Sequence, residues 1–315
     1  MGVARVFPLA DAAGLVEHNV KAEAVEYLGR KAVRITSADS GLAMLPGVDF
    51  QDGAIEAEIA LKITTPPGVR MPGFVGIGFR SNADGSKYDL FYLRPGNSHA
   101  EDQAMRNHSV QYAAEPDFDW YPLRRQWPGV YESYADIAPE TWIKVRIEVA
   151  GRTAKLFLNG AASPALVVDG LKGSSLHGAV GLWGYAGEEA YFSNVRITPA
   201  APVAVRNGAD AAGDWDVRLN TDAGSYQGTM HLTRDGEKIA GTWTGALGAE
   251  RAIMGTWRDG YVEISFPGEW GKEMGIGAPG ATTVTLAGWV DDASAGGRGK
   301  VEGRADGRWS AKRKP

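Results

Sequence analysis

The sequence contains no cysteine and no apolar run long enough to span a membrane. The lack of cysteine excludes disulfides, thiolate metal sites and thiol nucleophiles. The lack of a long apolar run, and of a charged N-terminal region followed by an apolar stretch, predicts no membrane partner and no visible signal peptide. The compartment stays open: periplasmic or secreted if a leader has been removed, otherwise cytoplasmic.

The sequence also has no excess of positive charge. Its net charge is −5 and its pI about 5.6, so it carries no electrostatic footprint for nucleic acid, and we expect no such partner. The basic stretch 308–314 is interpreted as a solvated chain end. A saccharide or another small molecule is the partner that we expect, and the oligomeric state is left open.

Long amphipathic helices are missing too. Residues 1–198 contain no convincing helical pattern of ten or more residues, whereas glycine (42) and tryptophan (10) are abundant. Segments with alternating apolar and polar residues, such as 53–63, read as half-buried antiparallel strands. Five more follow residue 141, with a turn every eight to twelve residues. The pattern predicts an all-β sandwich.

The C-terminal third has a strand pattern of its own. About eight short strands follow Asp214, and Asp-Gly turns occur at 235–236 and 306–307. Such strands favour a small antiparallel up-and-down barrel, resembling lipocalins and avidins, in which most tryptophans pack the interior. We therefore predict a β-sandwich at 1–198, a linker at 199–213 and a barrel at 214–315.

One long segment of the first domain, residues 95–141, interrupts the strand pattern. Ordered loops of this length are usually functional, and its aromatic residues argue against disorder. The alternation of the preceding strands places Arg80, Tyr92 and Arg94 near strand ends, where we expect them to point into the space that this loop covers.

The first domain resembles a known family. The matching stretches are GAIEAEI, FVGIGFRS, ETWIKVRIEVAGRTAKLFLNG and GAVGLWGYAGEEAYFSNVRI, which spread over about 190 residues. They resemble the concanavalin A-like lectin/glucanase jelly-roll superfamily and, more narrowly, the bacterial 3-keto-disaccharide hydrolase domain family. The sequence departs from that family at 75–78, where Val-Gly-Ile-Gly replaces its usual Asn-Ser-Gly-rich motif. The resemblance implies a carbohydrate-active protein with a jelly-roll fold.

The residues of the loop limit the chemistry. The Glu-x-Asp-x-x-Glu motif of the superfamily's retaining glucanases is missing, and that mechanism needs two such carboxyl groups. A glycoside whose ring carries a ketone is easier to cleave, because one base can remove the acidified C–H proton and eliminate the glycosidic substituent. Such a reaction needs a general base and donors that hold the enolate. The expected enzyme class is a glycoside hydrolase or lyase.

His108 is the candidate base, because Asp102 or Glu132 could orient its ring. The candidate substrate-binding residues are polar or aromatic: Arg80, Tyr92, Arg94, Arg106, Asn107, Gln111, Trp120 and Tyr131. No metal site is predicted and no cofactor is required. A divalent metal remains possible, because the spacing of His99, Asp102 and His108 permits a ligand set.

Three functions remain open from the sequence. The first is an enzyme that cleaves a glycoside or keto-sugar glycoside by general-base elimination or hydrolysis in the loop-covered cleft. The second is a non-catalytic, lectin-like protein that uses the same aromatic and polar groups. The third is a small-molecule pocket in the barrel, lined by Trp243, Trp257 and Trp289.

Overall fold

The computed structural model describes residues 2–64, 71–203, 209–258, 260–274 and 278–315. It divides into two compact units, Met1–Val203 and Ala204–Pro315. Residues 204–208 of the predicted linker lie outside the described part. Among the described residues no helix is both long and apolar enough to cross a membrane.

The described part of the first unit is built from strands, with three short helices. The strands are β1 (Arg5–Phe7), β2 (Val16–Tyr27), β3 (Arg30–Met44), β4 (Gly53–Ile63), β5 (Val75–Ser81), β6 (Tyr88–Leu93), β7 (Val110–Glu115), β8 (Glu132–Ser133), β9 (Ile143–Ala150), β10 (Thr153–Leu158), β11 (Leu166–Val168), β12 (Ala179–Tyr185) and β13 (Glu188–Pro199). The helices are α1 (Pro95–Ser98), α2 (Gln103–Arg106) and α3 (Trp120–Gln126).

These strands form one sheet that folds over into a sandwich. The order is β11-β10-β9-β4-β13-β3-β12-β5-β6-β7-β8, with β1 added to β13 and β2 to β3. The long strand β3 belongs to both halves, because residues 33–35 pair with β13 and residues 40–44 pair with β12. One hydrophobic core takes the inward residues of both halves, among them Ile55 of β4, Ile147 of β9 and Phe91 of β6. The outer faces of the two halves therefore lie on opposite sides of the unit.

The second unit is a closed antiparallel barrel. Its strands are β14 (Gly213–Thr221), β15 (Gly224–Asp235), β16 (Lys238–Gly245), β17 (Gly248–Arg258), β18 (Tyr261–Trp270), β19 (Gly280–Val290), β20 (Ser294–Val301) and β21 (Ala305–Arg313). A short 3-10 helix, Lys272–Met274, follows β18. Each strand pairs with the next, and β21 closes the ring on β14. The sandwich and the barrel together confirm the predicted all-β fold class.

Large side chains fill the barrel interior. Trp243 is only 1% exposed and stacks on Phe266 with 4.8 Å between ring centroids. It lies directly over Gly228, where an added Cβ would come within 2.4 Å of the indole ring. Trp257 and Trp289 are half-buried, with Arg234 stacked on Trp257 and Tyr261 edge-on to Trp289. The three tryptophans therefore make packing contacts rather than lining one common space, and the resemblance to lipocalins stays a prediction.

A buried ion pair links several segments of the sandwich near residue 203, where the first unit ends. Asp52 and Arg80 are each 1% exposed, and their charged atoms lie 2.9 Å apart. Asp52 also accepts hydrogen bonds from the backbone N–H groups of Gly151 and Val203. Arg80 donates to the carbonyls of Gln51 and Gly151. The pair thus connects the start of β4, the end of β5, the β9–β10 turn and the end of the unit.

The position of Arg80 corrects one prediction. Simple alternation along β5 directs this side chain outward, towards the space under the long loop. The structure has a register shift in the pairing of β5 with β12, and Arg80 adopts a positive φ of 54°. A bulge of this kind re-aims a side chain, and the guanidinium consequently enters the buried network instead of the loop-covered face.

We expect Asp52→Ala to lower the free energy of unfolding of the first unit by roughly 3–5 kcal/mol, because it leaves the Arg80 charge buried without its partner. The measurement is calorimetric or urea unfolding of the full chain. Glu23→Ala, which removes an exposed ion pair with Arg34, is the control and should cost at most about 1 kcal/mol. Equal effects of the two substitutions would contradict the assigned role of Asp52.

Candidate functional site

A row of paired residues crosses the outer face of one half of the sandwich. Directly paired residues of neighbouring strands lie on the same face of a sheet. From β3 through β12, β5, β6 and β7 to β8, the row consists of Leu42, Trp183, Gly76, Tyr92, Gln111 and Glu132. The register thus brings an aromatic part and a polar part of the sequence onto one face.

Glycine at the centre of the row lets the aromatic residues meet. Gly76 has no side chain, and an added Cβ would lie 2.7 Å from Cβ of Tyr92. Tyr92 and Trp183, from the strands on either side, approach to 5.2 Å between ring centroids. Phe74 and Tyr185 continue the aromatic strip, with their centroids 4.9 Å apart.

Arg94 joins the aromatic strip to the polar end of the row. Its Nη2 lies 2.5 Å from the hydroxyl oxygen of Tyr92, and its Nη1 donates to Oε1 of Gln111 at 3.3 Å. Nη1 also donates to the backbone carbonyl of His108 at 3.2 Å. These contacts bury Arg94, Tyr92 and Gln111. The structure therefore brings these three predicted residues together at the candidate site, where they are buried beneath its exposed groups.

Glu132 is the centre of the polar end. Its side chain is 4% exposed, and both of its carboxylate oxygens accept from Arg124, at 2.6 to 3.1 Å. Nδ1 of His108 lies 2.8 Å from Oε2 of the same carboxylate. Nδ1 is buried, and its geometry towards this oxygen is not that of a regular hydrogen bond. Glu132 thus holds the histidine and the arginine side by side.

The surroundings of His108 favour its neutral form. Burial lowers the pKa of His108, and the nearby charges of Arg124 and Arg94 lower it further. The carboxylate of Glu132 acts in the opposite direction but does not offset them. The imidazole therefore loses its proton at a lower pH than a free histidine does. Its side chain remains 21% exposed.

Three other predicted residues order the loop around this site. Asp102 caps α2 by accepting from the backbone N–H of Ala104. Arg106 donates to the carbonyl of Ala100 at 2.6 Å and to that of Glu101 at 2.8 Å. Asn107 is the C-cap residue of the same helix. Asp102 therefore acts on the helix, and Glu132 is the carboxylate that meets His108.

A cluster of aromatic side chains from the loop packs around the buried Lys172. Lys172, which follows β11, places its Nζ 3.9 Å from the ring centroid of Trp127, 5.5 Å from that of Phe118 and 5.6 Å from that of Tyr131. Cation–π contacts of this kind are stronger when they are desolvated, and Lys172 is buried. Tyr131 is buried in this cluster, so its ring is a packing surface rather than an exposed platform.

Trp120 is the predicted aromatic residue that solvent can reach. Its side chain is 42% exposed at the start of α3, where Asp119 caps the helix. The guanidinium of Arg124 lies 4.9 Å from the indole centroid. The ring therefore contacts one of the side chains that bind Glu132. An exposed indole beside charged hydrogen-bonding groups can stack on an apolar ring face.

Sequence reasoning missed Arg124. The available signal was the segment 119–126, in which an Asp N-cap precedes a proline in the first turn and arginines in the last. That pattern is typical of a short helix. A helix between β7 and β8 would have brought a cation close to Glu132.

The permitted metal set of His99, Asp102 and His108 does not assemble. His99 lies 3.4 Å from Asp136, and both side chains are exposed. Within the described ranges no group of three or more His, Asp or Glu residues is arranged to hold a metal ion.

Comparison with known proteins gives structural similarity only. No protein-family model and no curated protein matches the sequence. The chain is similar to the carbohydrate-binding module CBM66 from Bacillus subtilis, at 18% identity and a TM-score of 0.41, over 59% of this chain and 96% of that one. It is also similar to a protein of unknown function with a galectin-like fold from Bacillus subtilis, at 11% identity and a TM-score of 0.43, over 64% and 98%.

A third similar structure covers both units. It is a GlcNAcα1-4Gal-releasing endo-β-galactosidase from Clostridium perfringens, at 8% identity and a TM-score of 0.36, over 99% of this chain and 96% of that one. All three TM-scores are low, so any function assigned to this chain has to rest on its own contacts. The closer resemblance to 3-keto-disaccharide hydrolases stays a prediction.

We expect Glu132→Gln to lower the pKa of His108 still further, because the substitution removes the carboxylate that favours the imidazolium while Arg94 and Arg124 remain. The check is an NMR titration of the His108 ring in the full chain. Glu23→Gln, at the exposed ion pair with Arg34, is the control variant and should leave the titration of His108 unchanged. A higher pKa of His108 in the Glu132→Gln variant would contradict the geometry.

A second buried carboxyl lies next to the aromatic strip. Glu188, at the start of β13, accepts a hydrogen bond from the backbone N–H of Phe74, and its Oε1 has no hydrogen-bond partner among the described residues. Burial raises the pKa of Glu188 to about 8. The folded state thus keeps a proton on this carboxyl that the unfolded chain releases near pH 4.5.

The raised pKa of Glu188 predicts how the stability of the first unit changes with pH. The stabilisation from protonated Glu188 is complete below about pH 4.5 and is lost as the pH rises through about 8. Glu188→Gln should therefore flatten the decline in melting temperature of the first unit across this window. Glu115, whose pKa burial raises to about 7, stays in the variant and leaves a smaller slope. An unchanged slope would show that Glu188 is ionised in the fold.

Proposed function

We propose that the first unit is a carbohydrate-active enzyme, a glycoside hydrolase or lyase, in which His108 is the general base. The observation that carries the proposal is a part-exposed histidine whose Nδ1 lies 2.8 Å from a buried carboxylate and whose pKa is lowered by burial. A base is effective when it is unprotonated at the working pH and fixed in orientation. With Nδ1 enclosed by Glu132, Nε2 is the nitrogen left to meet a substrate.

The substrate class that suits one base and one cation is a glycoside with a ketone in its sugar ring. His108 would take the proton from the carbon next to the ketone. The C–H electron pair would form the enolate, and the glycosidic C–O bond two carbons from the ketone would break. The departing alkoxide would take the proton back from His108, leaving an unsaturated ketone to which water can add. No oxidant or reductant is consumed.

Arg124 is the group that can stabilise the enolate. Its Nε and Nη2 are engaged by Glu132, while Nη1 makes no hydrogen bond with any residue that the structure describes, and its side chain is 31% exposed. A fixed cation at a developing oxyanion is among the larger contributions to catalysis. Trp120, stacked on the same guanidinium, would receive the apolar face of the sugar ring.

A lectin-like function without chemistry is the second candidate. The exposed rings of Trp120, Tyr121 and Tyr185 and the half-buried ring of Phe74 favour it, because stacking alone is enough to bind a sugar. In that case His108 would be replaceable.

The test is turnover of a panel of glycosides and their keto derivatives by the full chain, with and without EDTA. We expect cleavage of the keto substrates, and His108→Gln should reduce kcat by about 10²-fold or more. His99→Gln, an exposed histidine in the same loop, should leave kcat unchanged. Because the pKa of His108 is lowered, the acid limb of the kcat profile should lie below the ordinary histidine value.

Three outcomes would change the assignment. Binding of sugars without turnover, weakened by Trp120→Ala and indifferent to His108→Gln, would favour the lectin-like function. Turnover that survives His108→Gln would exclude this histidine as the base. Loss of turnover with EDTA would add a divalent metal to the mechanism.

A further inference from the structure

A groove lies on the outer face of the other half of the sandwich. It has a volume of about 430 Å³ and is formed by β13, β4, β9 and β10, with Gly160 of the turn after β10 at one end. Within this half, Arg196, Glu56, Arg146 and Phe157 are paired strand by strand. Sites for small organic ligands have volumes of this order.

The floor of the groove is a cation stacked on an aromatic ring. Arg146 places its guanidinium 4.1 Å from the ring centroid of Phe157 and pairs with Glu148. The stacked pair covers the ring and makes a flat surface that still presents N–H groups. Such a surface suits a ligand that has both an apolar face and oxygen acceptors.

The walls carry more positive than negative charge. The lining includes Lys144, Arg146 and Arg196 against Glu56 and Glu58, which is three cations and two carboxylates. Two neighbours, Arg30 on Glu58 and Glu148 on Arg146, add one charge of each sign. The groove therefore keeps a net charge of +1.

Two of the cations are available to a ligand. Lys144 makes no ion pair with any residue that the structure describes, and its side chain is exposed. Arg196 is 55% exposed and meets Glu56 only at 3.9 Å. Glu58, in contrast, meets Arg30 and Nδ2 of Asn194, the latter at 2.6 Å, and both contacts are made by its Oε2. Lys144 lies opposite Glu58 in the register of β4 and β9, so its charge is compensated only at a distance.

We propose that this groove binds an acidic saccharide, a sugar that carries a carboxylate. The carboxylate lies between Lys144 and Arg196, and the sugar ring rests on the stacked Arg146–Phe157 floor. Asn194 and the wall carboxylates meet the ring hydroxyls. The groove and the His108 site lie on opposite outer faces of one sandwich, so a single short oligosaccharide does not occupy both.

The experiment is a titration of the full-length, isotope-labelled chain with an oligomer of about four uronic acid units, followed by NMR and calorimetry. A neutral oligomer of the same length is the comparison ligand. We expect the acidic oligomer to bind at least tenfold more tightly, to shift the amide signals of Lys144 and Gly160, and to weaken as salt increases. The double variant Lys144→Ala with Arg196→Ala should lose at least tenfold in affinity.

The matched control removes the same two charges elsewhere. Lys21→Ala with Arg218→Ala replaces exposed residues of β2 and β14 and should bind the acidic oligomer like the parent chain. His108→Gln should also leave this binding unchanged, which separates the groove from the function proposed for the His108 site. Equal affinity for both oligomers, full binding by the Lys144/Arg196 variant, or shifts confined to the His108 face would each overturn the proposal.

Discussion

A carboxylate taken out of water must be compensated by a charge or by several hydrogen bonds, and two such groups decide where segments of the first unit meet. Asp52 draws together the bulge of β5, the β9–β10 turn and the end of the unit. Glu132 contacts Arg124 of α3 and His108 in the turn that follows α2. The first carboxylate closes the sandwich, and the second assembles the candidate site.

The two carboxylates differ in what they leave free. Asp52 and Arg80 are both buried and bind one another and backbone groups, so their network is structural. The partners of Glu132 are more exposed: His108 and Arg124 each keep part of their surface in solvent. A buried anion that holds two part-exposed groups fixes their geometry without blocking access to them. Asp52 therefore contributes to the stability of the sheet, and Glu132 positions the groups of the candidate site.

Much of the fold follows from local patterns. Alternation identifies the strands, Asp-Gly turns separate those of the barrel, and the long segment between β6 and β9 marks the site. What alternation cannot supply is the order of the strands and the exceptions to the pattern. Arg80 turns inward because of a bulge, which single-sequence periodicity does not reveal. Tyr131 becomes a packing residue because of Lys172, a partner forty-one residues away.

The pairing of His108 with Glu132 was within reach of the sequence, because both residues lie in one loop, but the choice between Asp102 and Glu132 was not. It depends on Gln111 and Glu132 being opposite one another across β7 and β8. The register between two strands depends on the pairing of the whole sheet and not on the residues of these two strands alone. Arg124 was hidden for a related reason, since a helix of seven residues leaves a weak signal.

The place of β12 has a consequence for how the protein is made. This strand lies between β3 and β5, yet it follows both of them, and the entire loop, along the chain. A nascent chain that has reached the end of the loop lacks β12, so the edges of β3 and β5 that β12 will pair with are both open, and such edges attract other chains. Synthesis must continue past Tyr185 before the gap closes, so truncated products ending earlier would be prone to aggregation.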